Sequence, residues 1–155
     1  GPVLRGSGVS FDCRRDDPYS IYPKLDWEVQ IGRGEMGTLG DCWDRYIVRV
    51  REIEQSCRII RQALERLPEG PYQAQELKKP VRVPAGAAYT RTEAAKGEMG
   101  DFIIADGGAK PFRNKVRSCS FCNLQVVEKV GVGQMVSDLV ALVGSLDIVL
   151  GEIDR

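Results

Sequence analysis
The chain has 155 residues, 43% of them hydrophobic and 28% charged, enough for one globular domain with a core. Its 22 Lys and Arg balance 22 Asp and Glu, and zero net charge argues against a general nucleic-acid binder, which carries a basic excess. It contains no histidine, which removes Ser–His and Cys–His couples, imidazole metal ligands and any side chain that ordinarily titrates near neutrality. Residues 1–40 are rich in Gly, Pro, Asp and Arg with short apolar pieces, YSIY and LDWEVQI, and are expected to be loop and edge strands. Within them RRDDP, Arg14 to Pro18, reads as a solvated turn. GRGEMGTLGD, Gly32 to Asp41, lacks the spacing and the Lys of a nucleotide cradle and reads as a flexible loop leading to a helix cap.

From Asp41 to Leu67 the pattern is helical. Trp43, Tyr46, Val50, Ile53, Cys57, Ile60, Leu64 and Leu67 recur at steps of three and four, one stripe on one face. Asp41 is the expected N-cap, and PEGP, Pro68 to Pro71, ends the helix. A helix of this span is about 40 Å long. The stripe is expected to belong to a helix bundle whose other members are not in this chain, with a helix lying on its own sheet as the alternative. Pro71 to Gly86 is a polar connector. Over residues 88–118, AYTRTE, DFIIA and FRNKVRS read as three strands, the last two joined by a DGGAKP turn. Arg113, Lys115 and Arg117 alternate with Phe112 and Val116 on the third strand, and read either as a solvated face or as a contact for a partner's carboxylates. Residues 119–155 turn helical again and close on GSLDIVLGEIDR, an apolar run tipped with charge. A C-terminus that makes few contacts is usually polar and frayed, so this one is expected to be buried. The longest apolar stretch, Met135 to Leu150, is interrupted by Ser and Asp and falls short of the ~20 residues a membrane span needs.

The five cysteines, Cys13, Cys42, Cys57, Cys119 and Cys122, are odd in number and follow no secretory signal, which fits free thiols in a reducing compartment. Cys119 and Cys122 have C-x-x-C spacing, but with no second pair and no His they cannot complete a zinc site. They are expected to be partly buried structural thiols. Residue 1 is not methionine, and the chain is expected to be a piece of something longer.

Three stretches then carry a resemblance: GDCWDRYIVRVREIEQSCRII, KGEMGDFIIADGGAKPFRNKVRSCSFCNLQ and VALVGSLDIVLGEIDR. Together they resemble the C-terminal part of the quinone-side, hydrogenase-large-subunit-like chain (the D-type subunit) of respiratory NADH:quinone oxidoreductase, complex I. Cys119 and Cys122 stand where that family commonly has Pro and Ala, and the connector is shorter than in many members. The resemblance implies an α+β fold like that of the nickel–iron hydrogenase large subunit, with a long bundle helix, a small antiparallel sheet and C-terminal helices. In those hydrogenases the last segment carries Asp-Pro-Cys-x-x-Cys, whose thiolates hold the metals. Aligned on Asp147, this chain has Ile148, Val149 and Glu152 in place of the Pro and the two Cys, so a nickel–iron centre has lost its soft ligands.

What the resemblance leaves is an apolar wall of a quinone cavity, formed by Ile148, Val149, Leu150, Gly151 and Glu152. Asp147, Asp154 and Arg155 are implied to be held in charge pairs. No catalytic residue and no metal ligand is carried over, since the headgroup ligands of the family lie in a portion absent here. Asp44, Arg45 and Arg58 match charged bundle positions or are plain surface charges. The implied protein is a peripheral subunit on the cytoplasmic face of the inner membrane, or the matrix side in an organelle. Its implied partners are an iron–sulfur cluster-bearing neighbour, other complex I subunits and the membrane arm, with FMN and NADH on other chains, quinone as substrate and proton translocation as the coupled output. The isolated fragment is expected to be inactive and to self-associate through its exposed bundle faces. A membrane-bound hydrogenase or related dehydrogenase subunit, and a non-catalytic assembly scaffold, are the alternatives.

Overall fold
Pro2 opens the first helix, α1 (Pro2–Gly6), where its fixed φ suits the first turn and its missing N–H costs nothing. Asp12 caps a second, α2 (Cys13–Asp16), by accepting from the Arg14 amide at 3.0 Å. A 3₁₀ turn follows at Tyr22–Lys24. The computed structural model describes residues 1–73 and 82–154, so the middle of the polar connector and Arg155 lie outside the described residues. Residues 1–40 contain no strand, contrary to the expected edge strands. The extended piece after the 3₁₀ turn finds its hydrogen bonds on helix side chains instead of a sheet. Asp26 N–H donates to Gln62 Oε1 at 2.8 Å, Gln62 Nε2 donates back to the Asp26 carbonyl at 2.7 Å, and Glu28 N–H donates to Gln55 Oε1 at 3.0 Å.

The long helix α3 runs from Cys42 to Glu65, with Asp41 as N-cap accepting from Asp44 N–H at 2.9 Å. Its buried residues are Asp44, Arg45 and Val48, on the side that meets α1 and the last long helix. The predicted apolar stripe faces out: Ile53 is 63% exposed and Leu64 66%. It does not lie on the chain's own sheet. Gly32 lets the preceding loop press against α1, since a Cβ there would sit 2.0 Å from the Gly6 carbonyl oxygen.

Three antiparallel strands, β1 (Gly86–Ala94), β2 (Gly97–Ala105) and β3 (Arg113–Arg117), form one sheet in the order β1-β2-β3. Register pairs Thr90 with Asp101 and Asp101 with Val116. Ala95 and Lys96 make the β1–β2 turn, and Gly97 after them takes φ 139°, which a side chain would strain. Phe112 falls outside β3 and is exposed. Arg113 and Lys115 are solvated, while Arg117 pairs with Glu98 at 3.6 Å.

Helices α4 (Cys119–Leu124), α5 (Val126–Val130), α6 (Val136–Leu146) and α7 (Leu150–Ile153) complete the chain. Ser118 caps α4, its Oγ accepting from Phe121 N–H at 3.1 Å. The tail is less buried within this chain than its apolar composition predicts: Val149 is 45% exposed and Leu150 75%. Among the described residues six apolar side chains (Cys13, Leu25, Val48, Cys119, Leu142 and Leu146) and six polar or charged ones are buried, so polar networks organise the interior as much as apolar packing does. No helix among the described residues is long and apolar enough to cross a membrane.

Candidate functional site
The site expected at the tail is built where α6 ends, and Asp147 makes the bend. Its backbone is left-handed (φ 56°, ψ 53°), a conformation that Asp tolerates better than most residues. Its carboxylate accepts from Lys96 Nζ in the β1–β2 turn and lies 3.6 Å from Arg49 Nε of α3. Two further ties fix the end of α6: Arg45 Nε donates to Ser145 Oγ at 2.9 Å, and Arg49 donates to the Leu146 carbonyl at 3.2 Å. A cavity of about 300 Å³ opens beside this junction, lined by Arg49, Glu52, Ile53, Ser56, Lys96 and Asp147 among others.

Glu152 is held at the start of α4. It accepts from Cys119 N–H at 3.1 Å, from Cys119 Sγ at 2.7 Å and from Ser120 Oγ. Burial pushes its pKa up, but the hydrogen bonds from Cys119 and Ser120 outweigh that and hold it below the usual carboxylate range. The same contact acts oppositely on the thiol: burial and the Glu152 carboxylate push Cys119 up to about 12. Ser120 Oγ also accepts from Val149 N–H at 3.3 Å, tying the tail to α4 twice.

Of the expected wall residues, Val149, Leu150 and Gly151 are exposed, while Ile148 and Glu152 are half-buried. Asp147 is paired as expected. Asp154 is exposed and makes no ion pair among the described residues, and Arg155 lies outside them. Among the described residues no three Cys, Asp or Glu side chains gather as a metal site.

The family described as respiratory-chain NADH dehydrogenase, 49 kDa subunit, matches residues 1–155. The chain belongs to that family. The NADH-quinone oxidoreductase D subunit of Chlorobaculum tepidum is 48% identical over 158 residues, covering 100% of this chain and 40% of that protein. The D subunit numbered 2 of Sorangium cellulosum is 46% identical over 156 residues, and the D subunit of Desulforamulus reducens 46% over 154, each again with 40% of its length covered. The chain therefore spans about 40% of the length of the curated relatives it matches.

Several charged residues, Asp44 and Arg45 among them, which the sequence left open between bundle positions and surface charges, are buried in this member of the 49 kDa family. Asp44 is inaccessible to solvent, covered by the 33–40 loop, and accepts from the amides of Arg33 (3.2 Å), Gly34 (3.0 Å) and Gly40 (2.9 Å). Hydrogen bonds from Gly40, Gly34 and Arg33 hold its pKa low against the cost of burial. Arg45 is also buried, donating to the Gly40 carbonyl at 2.6 Å. Neither is a surface charge; Arg58, exposed and paired with Asp26, is one. The RRDDP turn is only partly solvated: Arg14 grips Asp12 with two bonds of 2.9 and 2.6 Å and stacks 4.5 Å above Trp27. Arg5, 1% exposed, sits at the centre of a network with Asp12, Glu52 and Glu93. A Pro-started helical turn at Pro2 and an Asp cap at Asp12 were the signals available for these elements; the ionic partners, far away in sequence, left none.

Proposed function
We propose that this chain forms one wall of the quinone-reduction site of a respiratory NADH:quinone oxidoreductase, as a peripheral subunit on the cytoplasmic face of the inner membrane (matrix side in an organelle). Electrons reach the site from an iron–sulfur cluster on a neighbouring subunit, NADH and FMN sit on other chains, and reduction is coupled to proton translocation through the membrane arm. Ile148, Val149, Leu150, Gly151 and Glu152 are the wall. The observation that carries the reading is the pairing of exposed apolar side chains, Val149 and Leu150, with carboxylates on either side that are already satisfied. A quinone gains negative charge as it takes up electrons, and a bare carboxylate a few ångströms away would oppose this strongly in a site shielded from water. Lys96 and Arg49 on Asp147, and Cys119 and Ser120 on Glu152, remove that opposition. The apolar groups between them suit a lipophilic ring and tail. The resemblance to nickel–iron hydrogenases supports the same placement, because Val149 and Glu152 occupy the positions of the thiolates there.

The test is NADH-driven quinone reduction by the detergent-solubilised complex carrying a Val149→Phe change. Overpacking of ~1–3 kcal/mol translates to about 5- to 150-fold in kcat/KM for quinone. Unchanged quinone reduction in an assembled complex would favour the assembly scaffold. A wild-type complex that reduces quinone only from another donor would place the chain in a sister dehydrogenase.

A further inference from the structure
We infer that Cys119 and Cys122 form a thiol pair that closes to a disulfide when a peroxide enters the cavity they share, with Cys122 attacking first and Cys119, held by Glu152, resolving. The proposal goes beyond quinone reduction and does not depend on it. Both cysteines lie on α4, three residues apart and thus one helical turn from each other. Both line a cavity of about 120 Å³ together with Glu98, Arg117 and Asn123. That space holds several water-sized molecules at ~30 Å³ each, so hydrogen peroxide fits. Cys122 also borders a second cavity, of about 290 Å³, which gives it a second approach, whereas Cys119 is 3% exposed.

Residues one turn apart have Cβ atoms about 5–6 Å apart, and a disulfide needs ~3.5–4.5 Å. The turn must tighten by about 1–2 Å. It is the first turn of a six-residue helix, where the leading amides make no bonds within the helix and the Cys119 amide is held by Glu152 instead.

The roles divide by environment. Cys122, the more accessible, attacks one oxygen of hydrogen peroxide. The O–O bond breaks, Cys122 becomes S–OH, and its thiol proton leaves with the departing hydroxide as water. Burial and the Glu152 carboxylate, whose Oε1 lies 2.7 Å from Cys119 Sγ, hold the proton on Cys119 and push its thiol up to about 12, so it is the slower of the two. Cys119 sulfur attacks Cys122 sulfur, the S–O bond breaks, and the Cys119 proton leaves with the departing hydroxide as a second water. Two thiols and one peroxide become one disulfide and two waters, the sulfurs losing two electrons and the peroxide oxygens gaining two. Glu152 then loses one of its side-chain donors, and the tail is held less firmly. In a reducing compartment the disulfide reopens.

The test exposes the assembled, full-length protein to hydrogen peroxide, alkylates it in denaturant and digests it with trypsin. Residues 118–129, SCSFCNLQVVEK, leave as one peptide between Arg117 and Lys129. The expected product is that peptide two hydrogens lighter and unalkylated, with dithiothreitol restoring two alkylations. Cys119→Ser should leave a Cys122 sulfenic acid that dimedone traps, and Cys122→Ser should leave Cys119 reduced. Glu152→Gln, which removes the negative charge that holds the proton on Cys119, should speed ring closure ~10-fold or more while Cys122 still forms its sulfenic acid. Two thiols that both alkylate after peroxide, a sulfinic acid at Cys122 beside a free Cys119, or a disulfide from either to another cysteine would overturn the proposal.

Discussion

Replacing Arg5 with Ala removes the cation from the most heavily shielded ionic network among the described residues. Its guanidinium donates to Glu52 at 2.7 Å, to Glu93 at 2.7 Å and to the Phe11 carbonyl at 3.1 Å, and lies 3.1 Å from Asp12. Removing one partner of a buried ion pair costs ~3–5 kcal/mol, because the other charge stays buried without compensation. Two features place the cost at the lower end. Asp12 keeps both bonds from Arg14, and the Glu52 side chain is 20% exposed and can rehydrate. Glu93, its side chain 3% exposed, keeps the Cys13 amide at 3.2 Å and the Gly1 amino group at 3.3 Å. The expected loss is about 3 kcal/mol, which at a urea slope of ~1–3 kcal/mol per M lowers the midpoint by about 1–3 M. Urea denaturation followed by tryptophan fluorescence reads this directly. Arg5→Lys keeps the charge but cannot fork to three acceptors, and should recover less than half of the loss. A loss below ~1 kcal/mol for Arg5→Ala, the value of a surface pair, would refute the reading of a buried, mutually dependent network.

Two further outcomes are expected. Asp44→Ala removes the acceptor for three backbone amides; a loss of ~2 kcal/mol or more should cut hydrogen-exchange protection at Gly34 and Gly40 about 30-fold, and unchanged protection would show that the loop holds itself. Glu152 is depressed in the folded state, so its contribution to holding the tail is full above its unfolded pKa of ~4.3 and is lost as pH falls through the lower folded value. The protection factor of the Ile153 amide, the intrinsic exchange rate over the observed one, should therefore stay flat from about pH 8 to pH 5 and fall below about pH 4, and Ser120→Ala should make that fall smaller.

Periodicity made α3 legible, because a repeat of 3.6 residues is written locally: Asp41 caps it where expected, and it ends within two residues of the expected Leu67. The three strands were legible for the same reason, through alternation and turn residues. The tail was legible as apolar but not as exposed, since burial depends on which surfaces meet it, and among the described residues α4 covers only Glu152 and its neighbours. The charged interior was illegible. Arg5 and Glu93 are 88 positions apart, and no local pattern joins them. Asp44 is satisfied by backbone amides, which every non-proline residue offers, so its partners leave no trace in residue type. The edge strands expected before residue 40 failed because Gln55 and Gln62 supply from helix side chains the hydrogen bonds that a neighbouring strand would have supplied.

Helix α3 is moored at one end. Over its first two turns Asp44, Arg45 and Val48 are sealed against α1, the 33–40 loop and α6, whereas its last turns touch the rest of the chain chiefly through exposed polar bonds from Arg58 and Gln62 to Asp26. Its 24 residues extend about 36 Å, so the two ends experience different environments. Local stability is graded along the rod, high near Asp44 and falling toward Glu65. A surface that docks on the outward stripe would cover Ile53, Ile60 and Leu64 and stabilise the end of the helix that this chain supports least. The stability of that end is then coupled by mass action to whatever binds there.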